Sequence, residues 1–417
     1  MQRIDALDVL RGFALLGLPL MNLVAFSMPF SAYINPQAFH GDNTLNHFWF
    51  SLFYIFADQK FMGIFSVLFG AGLALLYEKF KSEPCVEKQR GAGTIYIRLF
   101  VLLIFGYLHL NYLWSGDILM FYAAWGMVLF PFLGSSKKGL TILFVVLYSI
   151  VILGALGTSF DAGDLSQTEL SQMLVFFKPT VEQINQIVQI YRGSISDITD
   201  FGESLTLDGK DMGMGVLLLL MMDSISGLVR AGAMIALGFL LYKNGFLTEK
   251  WSEKSYKMSA MIGIAIGVIV SCLGLIYNYS HDYSDPQQYF GLGNTFIVIS
   301  SPFMVLGYIA LVQLLLNRSE LARWTQAVSK VGRMALTMYL MQSVIGVFLF
   351  WGVGLAWFGH VDRTELVFIT LCIALTQLGI ASIWLKYFQY GPMEWLWRCL
   401  TYRSFVNILK LRQPELA

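Results

Sequence analysis

The sequence predicts an all-α, polytopic integral membrane protein with about ten transmembrane helices and both termini in the cytoplasm. Three observations carry this reading. The chain has 417 residues, of which 56% are hydrophobic and only 13% charged, against about 25% charged in soluble domains. Its apolar residues gather into stretches of about 20, long enough to cross a hydrocarbon core of about 30 Å. The cations between those stretches are sorted. Of 28 Lys and Arg, all but Lys178, Arg192, Lys210, Arg363 and the span residues Lys60 and Arg230 fall in loops of one side. Lys and Arg accumulate in cytoplasmic loops, and an odd number of spans would scramble the sorting.

In chain order the spans are expected at roughly 10–30, 54–77, 95–113, 116–134, 139–158, 224–242, 256–278, 292–316, 331–355 and 365–388. The first apolar run carries no small-residue cleavage site and reads as a retained span, not a signal peptide. These spans define an N-terminal transmembrane half of five helices, 1–158, and a C-terminal half of five helices with a short cytoplasmic tail, 213–417. Between them lies an extracytoplasmic segment, 159–212. There Leu170–Phe177 and Val181–Tyr191 carry apolar residues at helical spacing and read as amphipathic surface helices, with a loosely structured connector as the alternative. A weak internal echo relates the two halves. Asp58 to Tyr77 and Asp223 to Tyr242 each run nineteen residues from an outer Asp to an inner Tyr, so repeated halves would be parallel.

The net charge of +1 points to no nucleic-acid partner. Cys85, Cys272, Cys372 and Cys399 are scattered without metal-ligand spacing, so neither a metal nor a disulfide framework is expected.

Function should lie with the polar residues inside the bilayer, because ionisable groups there are costly and usually line an interior path. His109 stands eleven residues beyond Arg98, about 16 Å along a helix. An imidazole at that depth can serve as general base, proton relay or interhelical hydrogen-bond bridge. Asp117 follows the tight turn Trp114-Ser-Gly. It can cap the next span or orient His109. Asp58 and Lys60 open the second span on different helix faces, so each should find another partner or snorkel to the interface. Arg230 is the costliest residue. It is a natural partner for a carboxylate or phosphate, with an ion pair to Asp58 or Asp223 as the alternative. Asn22, Gln342 and Ser343 add neutral polar groups at depth, where interhelical bonding is their commoner role. His40 and His47 lie in the first outer loop. At the cytoplasmic mouths, Asp8-Val-Leu-Arg11-Gly12 and Gly391-Pro-Met-Glu-Trp-Leu-Trp-Arg398 place arginines that either hold phosphates or anchor to headgroups.

Several of these segments together resemble YeiB-type bacterial membrane proteins. They are Arg3-Ile-Asp-Ala-Leu-Asp8-Val-Leu-Arg11-Gly, Lys60-Phe-Met-Gly-Ile-Phe-Ser-Val-Leu-Phe-Gly70, Trp114-Ser-Gly-Asp117, Val331-Gly-Arg-Met-Ala-Leu-Thr-Met-Tyr-Leu-Met-Gln342-Ser and Gly391-Pro-Met-Glu-Trp-Leu-Trp-Arg398. That group is similar to the transmembrane acyltransferase superfamily, which includes heparan-alpha-glucosaminide N-acetyltransferase. The resemblance carries over Asp8, Arg11, Gly12, Asn22 and His40, although the Asn-to-His interval differs and the first-span His of other branches is absent. It implies a multi-pass protein of the bacterial cytoplasmic (inner) membrane. Acyl-CoA, acetyl-CoA first, would be the donor and a small molecule or glycan the acceptor. Beside these, the partners would be the lipid bilayer and, as an open option, a second copy in a homodimer.

Two functions remain open at this point. An acyltransferase would dock acyl-CoA near Arg11 or Arg398, with Asp8 beside Arg11. It would use His109 or His40 as base with Asp117 orienting the ring, and Asn22 to stabilise the oxyanion. A proton-coupled transporter would use Asp58, Lys60, Asp223, Arg230 and His109 as its substrate path.

Overall fold

The computed structural model describes residues 5–81, 85–160, 173–174, 176–200, 214–316 and 318–410, and every named element among them is a helix. Two helices, α1 (Asp5–Gly17) and α2 (Pro19–Ser27), make the first span. They are interrupted at Pro19, which has no N–H to donate. A short α3 (Phe30–Ile34) leads to α4 (Thr44–Phe56), whose N-terminus is capped by Asn43 Oδ1 accepting from Leu45 N at 3.0 Å. Next come α5 (Lys60–Lys81), α6 (Cys85–Tyr112), α7 (Leu119–Leu129) and α8 (Lys137–Phe160). After α9 (Val181–Arg192) follow α10 (Met214–Lys243), α11 (Glu253–Ser280), α12 (Asn294–Leu316), α13 (Ala322–Arg333), α14 (Ala335–Phe350), α15 (Arg363–Tyr387) and α16 (Pro392–Tyr402).

Among the described residues, eight helical segments are long and apolar enough to cross a membrane, or nine if α13 and α14 count as one bent span. The protein is therefore an all-α polytopic membrane protein. A further apolar helix, Leu119–Gly134, is shorter than a full span and ends in a 3₁₀ turn. Every expected span thus coincides with an apolar helix, but three expectations need correction. The second span begins at Thr44, not near residue 54, which puts His47 in α4 rather than in a loop. The Thr44–Lys81 segment has 38 residues. At 1.5 Å per residue it would be about 57 Å long if straight, far more than a bilayer core needs. It is broken at Ala57-Asp58-Gln59, where Gln59 takes a left-handed φ of 61°. Asp58 and Lys60 therefore sit at a buried interruption and not at the water interface. The expected span 331–355 is also redrawn. Residues 331–333 end α13, and the chain turns by 80° before α14.

The bundle is drawn together by glycines. Hydrophobicity does not drive helices together in lipid, so close backbone packing must. A Cβ on Gly70 would meet Ile235 O at 2.2 Å, and one on Gly238 would meet Val67 O at 2.1 Å, so α5 and α10 cross in backbone contact. The same holds for α1 and α13. A Cβ on Gly12 would lie 2.0 Å from Val328 O, and one on Gly332 would lie 1.8 Å from Asp8 O. The Gly of the Asp-x-x-Arg-Gly opening thus has a packing role.

Outside the bundle, α9 is the helix anticipated at Val181–Tyr191. A capping box joins Thr180 and Gln183. The helix is fastened by Tyr191 stacked on Phe358 at 4.3 Å and by Arg192 Nε donating to Phe358 O at 2.7 Å. Much of the remaining segment 159–212, including half of the anticipated helix from Leu170, lies outside the described residues, as do the side chain of Asp223 and residue Arg3.

Candidate functional site

His109 occupies the last turn of α6 and is 3% exposed. Its Nδ1 lies 2.9 Å from Asp117 Oδ1 and its Nε2 lies 2.8 Å from Ser343 Oγ. An ionised carboxylate can only accept. With the carboxylate accepting, Nδ1 donates to Asp117, and in the neutral ring Nε2 is then the nitrogen that accepts from the Ser343 hydroxyl. Asp117 is positioned in turn by its second oxygen, which accepts from Met120 N at 2.7 Å in the first turn of α7. Both roles anticipated for Asp117, capping and orienting, are present in one side chain. The turn Trp114-Ser-Gly makes this possible by bringing α7 back along α6, and Trp114 stacks on Phe26 of α2 at 4.3 Å. Ser343 comes from α14, far away in sequence. Hydroxyl, imidazole and carboxylate bonded in this order are an arrangement able to activate a hydroxyl.

Gln342, beside Ser343, donates from Nε2 to Leu15 O and to Gln377 Oε1, both at 3.0 Å. Its Oε1 is buried with no protein partner. The structure thus gives its amide nitrogen to helix packing and leaves one acceptor available. Asn22 is half-buried on α2 and makes no hydrogen bond to His109, Asp117 or Ser343. His40 lies on the solvent side of a left-handed turn with φ 54°, ring against Phe39, and is not brought into this group.

A second polar group surrounds the break between α4 and α5. Lys60 is fully buried and donates to Tyr54 O at 2.7 Å. It satisfies one of the carbonyls left open where α4 ends and places a cation where the helix dipole favours one. Tyr308 does the same for Phe56 O at 2.8 Å. Asp58 is 7% exposed and accepts from the Tyr33 hydroxyl at 3.1 Å. Each member of the Asp58/Lys60 pair has its own partner, as their spacing predicts. Arg230 donates from Nη1 to Gln59 Oε1 at 2.7 Å, and Asp58 lies within its electrostatic reach; the alternative partner Asp223 has its side chain outside the described residues.

The third group gathers cations at the opposite end of the bundle. Arg11 pairs with Asp8 at 3.1 Å across one helix turn. Arg98 lies 3.6 Å from the Trp397 ring, whose Nε1 donates to Arg98 O, and Arg398 lies 4.3 Å from the Tyr390 ring. Arg98 is within electrostatic reach of both Arg398 and Arg11, so three guanidinium groups converge. Glu394, on α16, closes the bend before α14. It accepts from Leu336 N at 2.7 Å, Thr337 N at 3.1 Å and Thr337 Oγ1 at 2.6 Å. Burial outweighs these bonds and holds its carboxyl above the usual range.

Sequence reasoning singled out His109 and Asp117 but gave Ser343 no catalytic part. It passed over Arg98 and Glu394 and counted Arg363 only as a loop cation. Ser343 carries no local signal, since a serine in an apolar helix commonly bonds its own backbone. Arg363, like Lys60, could have been flagged as a cation directly opening an apolar stretch.

The chain is similar to known proteins along nearly its whole length. Residues 241–404 match the family described as "Protein of unknown function (DUF418)". The chain is 32% identical over 412 residues to "Uncharacterized protein YeiB" of Escherichia coli (strain K12), covering 97% of both chains. It is 29% identical to "Uncharacterized protein YxaH" of Bacillus subtilis (strain 168), covering 98% of this chain and 96% of that one.

Proposed function

Taking as premise that the chain belongs to the YeiB-type family of multi-pass membrane proteins, we propose that it is a membrane acyltransferase built on Ser343, His109 and Asp117. The observation that carries this reading is the two-sided bonding of His109, with a carboxylate on Nδ1 and a hydroxyl on Nε2. In the proposed reaction His109 Nε2 takes the Ser343 proton as Oγ attacks the thioester carbonyl of acyl-CoA. The C–S bond breaks, and the CoA thiolate leaves with that proton. The Ser343 ester is then attacked by the hydroxyl or amine of a small-molecule or glycan acceptor. Its proton passes through His109 back to Ser343 Oγ. Asp117 holds the imidazole in the required tautomer and stabilises the imidazolium in each half.

The donor's phosphates are assigned to Arg11, Arg98 and Arg398. Arg98 and His109 share α6 and stand about 16 Å apart along it, a separation that an extended pantetheine arm spans. The cation sorting supports a cytoplasmic position for this end in the bacterial inner membrane. The test is acetyl transfer from radiolabelled acetyl-CoA to purified protein. Label trapped on the wild type and absent from Ser343→Ala is expected, and equal labelling of both would overturn the serine intermediate.

A second reading is a proton-coupled transporter. It is favoured by the buried Asp58, Lys60 and Arg230 around a broken helix, since interrupted spans often form substrate sites in transporters. Substrate accumulation in proteoliposomes that depends on a proton gradient, with no covalent label, would favour it.

A further inference from the structure

We infer that the cleft between α2, α3, α4 and the start of α15 binds a small anionic group, a carboxylate or phosphate, with Arg363 as its anchor. The cleft is narrow: its empty volume of about 250 Å³ includes open solvent at the mouth, and the part enclosed by protein has room for about one water-sized group. Tyr33, Tyr54, Asp58 and Arg363 supply its polar lining, and the remaining wall is apolar. It lies at the end of the bundle opposite Arg11, Arg98 and Arg398, extracytoplasmic in the orientation that the cation sorting predicts.

The charges around it do not balance. Arg363 is 1% exposed, and a guanidinium does not shed its proton in proteins. Its protein partners are neutral: Asn46 Oδ1 at 2.7 Å, Ala32 O, and the Phe50 ring at 5.2 Å. Among the described residues no carboxylate lies within ion-pairing distance of it. The neighbouring Asp362 is committed to capping α15, accepting from Glu365 N at 2.9 Å and from Asn43 Nδ2 at 3.3 Å. Asp58 lines the same cleft, bonded to Tyr33, and already has Lys60 and Arg230 within electrostatic reach. Buried charges are normally paired, so a five-donor cation without a carboxylate, beside an open space, calls for an anion from outside. The cleft and the surroundings of the proposed reaction centre share one helix. Met21 and Val24 of α2 line the cleft, while Phe26 of the same helix stacks on Trp114 beside His109. The site does not depend on acyl transfer, since a transporter of an anionic solute needs the same recognition.

The test is thermal stability of the detergent-purified full chain titrated with sodium acetate, sodium phosphate or dihexanoyl phosphatidylglycerol, ionic strength being balanced with sodium chloride. A ligand that binds only the folded state raises Tm saturably. A saturable rise with acetate or phosphate assigns the site to a free small anion, and a rise with the lipid alone assigns it to a headgroup. Asp58→Asn removes a like charge from the facing wall and is expected to tighten that binding by about tenfold. Arg363→Gln is expected to abolish it. If Arg363→Gln yields no folded protein, Asp58→Asn decides alone. The inference is overturned by no saturable rise in the wild type, by unchanged affinity in Asp58→Asn, or by a rise retained in folded Arg363→Gln.

Discussion

The polar groups around His109 and around Asp58 lie in the same half of the bundle yet are built on opposite plans. In the first, each member bonds the next and the chain of bonds ends on a backbone N–H, so Ser343, His109, Asp117 and Met120 form one closed line. In the second, Asp58, Lys60, Arg230 and Arg363 share no ion pair; each is held by a neutral group, and a cleft opens between two of them. A closed line fixes a tautomer and a geometry, which is what chemistry on a hydroxyl requires. An open set of charges keeps interaction energy in reserve for a molecule that has yet to arrive. On the readings proposed above, the first plan suits a place where bonds change and the second a place where something is recognised.

The largest expected effect tests the first plan. Asp117→Asn keeps the shape but removes the acceptor that selects the Nδ1–H tautomer, and the acyl-transfer rate is expected to fall by about 10²–10⁴-fold. Steady-state transfer with substrate binding measured in parallel checks this, and a loss in binding alone would reassign His109 to the recognition side. Lys60→Met serves as the contrast. It removes the cation that closes α4, with an expected cost of about 1–3 kcal/mol for the carbonyl left unsatisfied. Stability should fall while the transfer rate of the folded fraction stays within about twofold. A rate loss as deep as that of Asp117→Asn would merge the two groups into one.

Smaller effects sharpen the frame around both. Gly332→Ala pushes a methyl into Asp8 O and is expected to destabilise by about 1–3 kcal/mol, seen as a lower Tm. Because Asp8 pairs with Arg11, acyl-CoA affinity should weaken with it. The smallest is Glu394→Gln. Burial raises the folded-state pKa of Glu394 above its ordinary value of 4.5, so the folded chain holds this proton more tightly than the unfolded one. Stability is then expected to fall as pH rises from about 4.5 through the raised pKa. Glu394→Gln should flatten that slope in a Tm-against-pH series.

Much of the fold was legible because membrane insertion imposes long apolar runs and a sorting of cations that no packing detail disturbs. The break at Ala57-Asp58-Gln59 was not, since Phe48 to Phe56 and Phe61 to Phe69 read as one apolar field and only Gln59's left-handed turn divides them. In the candidate site, His109 and Asp117 could be paired from sequence because a tight hairpin joins them. Ser343 could not, because the contact of α14 with α6 is a tertiary fact with no local spacing to announce it. Arg363 was hidden by its position, for a cation at a span's edge normally snorkels to water, whereas the loop 28–43 and α4 cover this one.

The 80° bend between α13 and α14 gives the protein a crank. One arm, α13, is locked by backbone contact to the helix that carries Arg11, and the other, α14, carries Ser343. Glu394 clasps the elbow from the helix that also presents Arg398 and the Trp397 ring under Arg98. The helix bearing Arg11, the bend and the helix bearing Ser343 are thus joined by direct contacts from one end to the other.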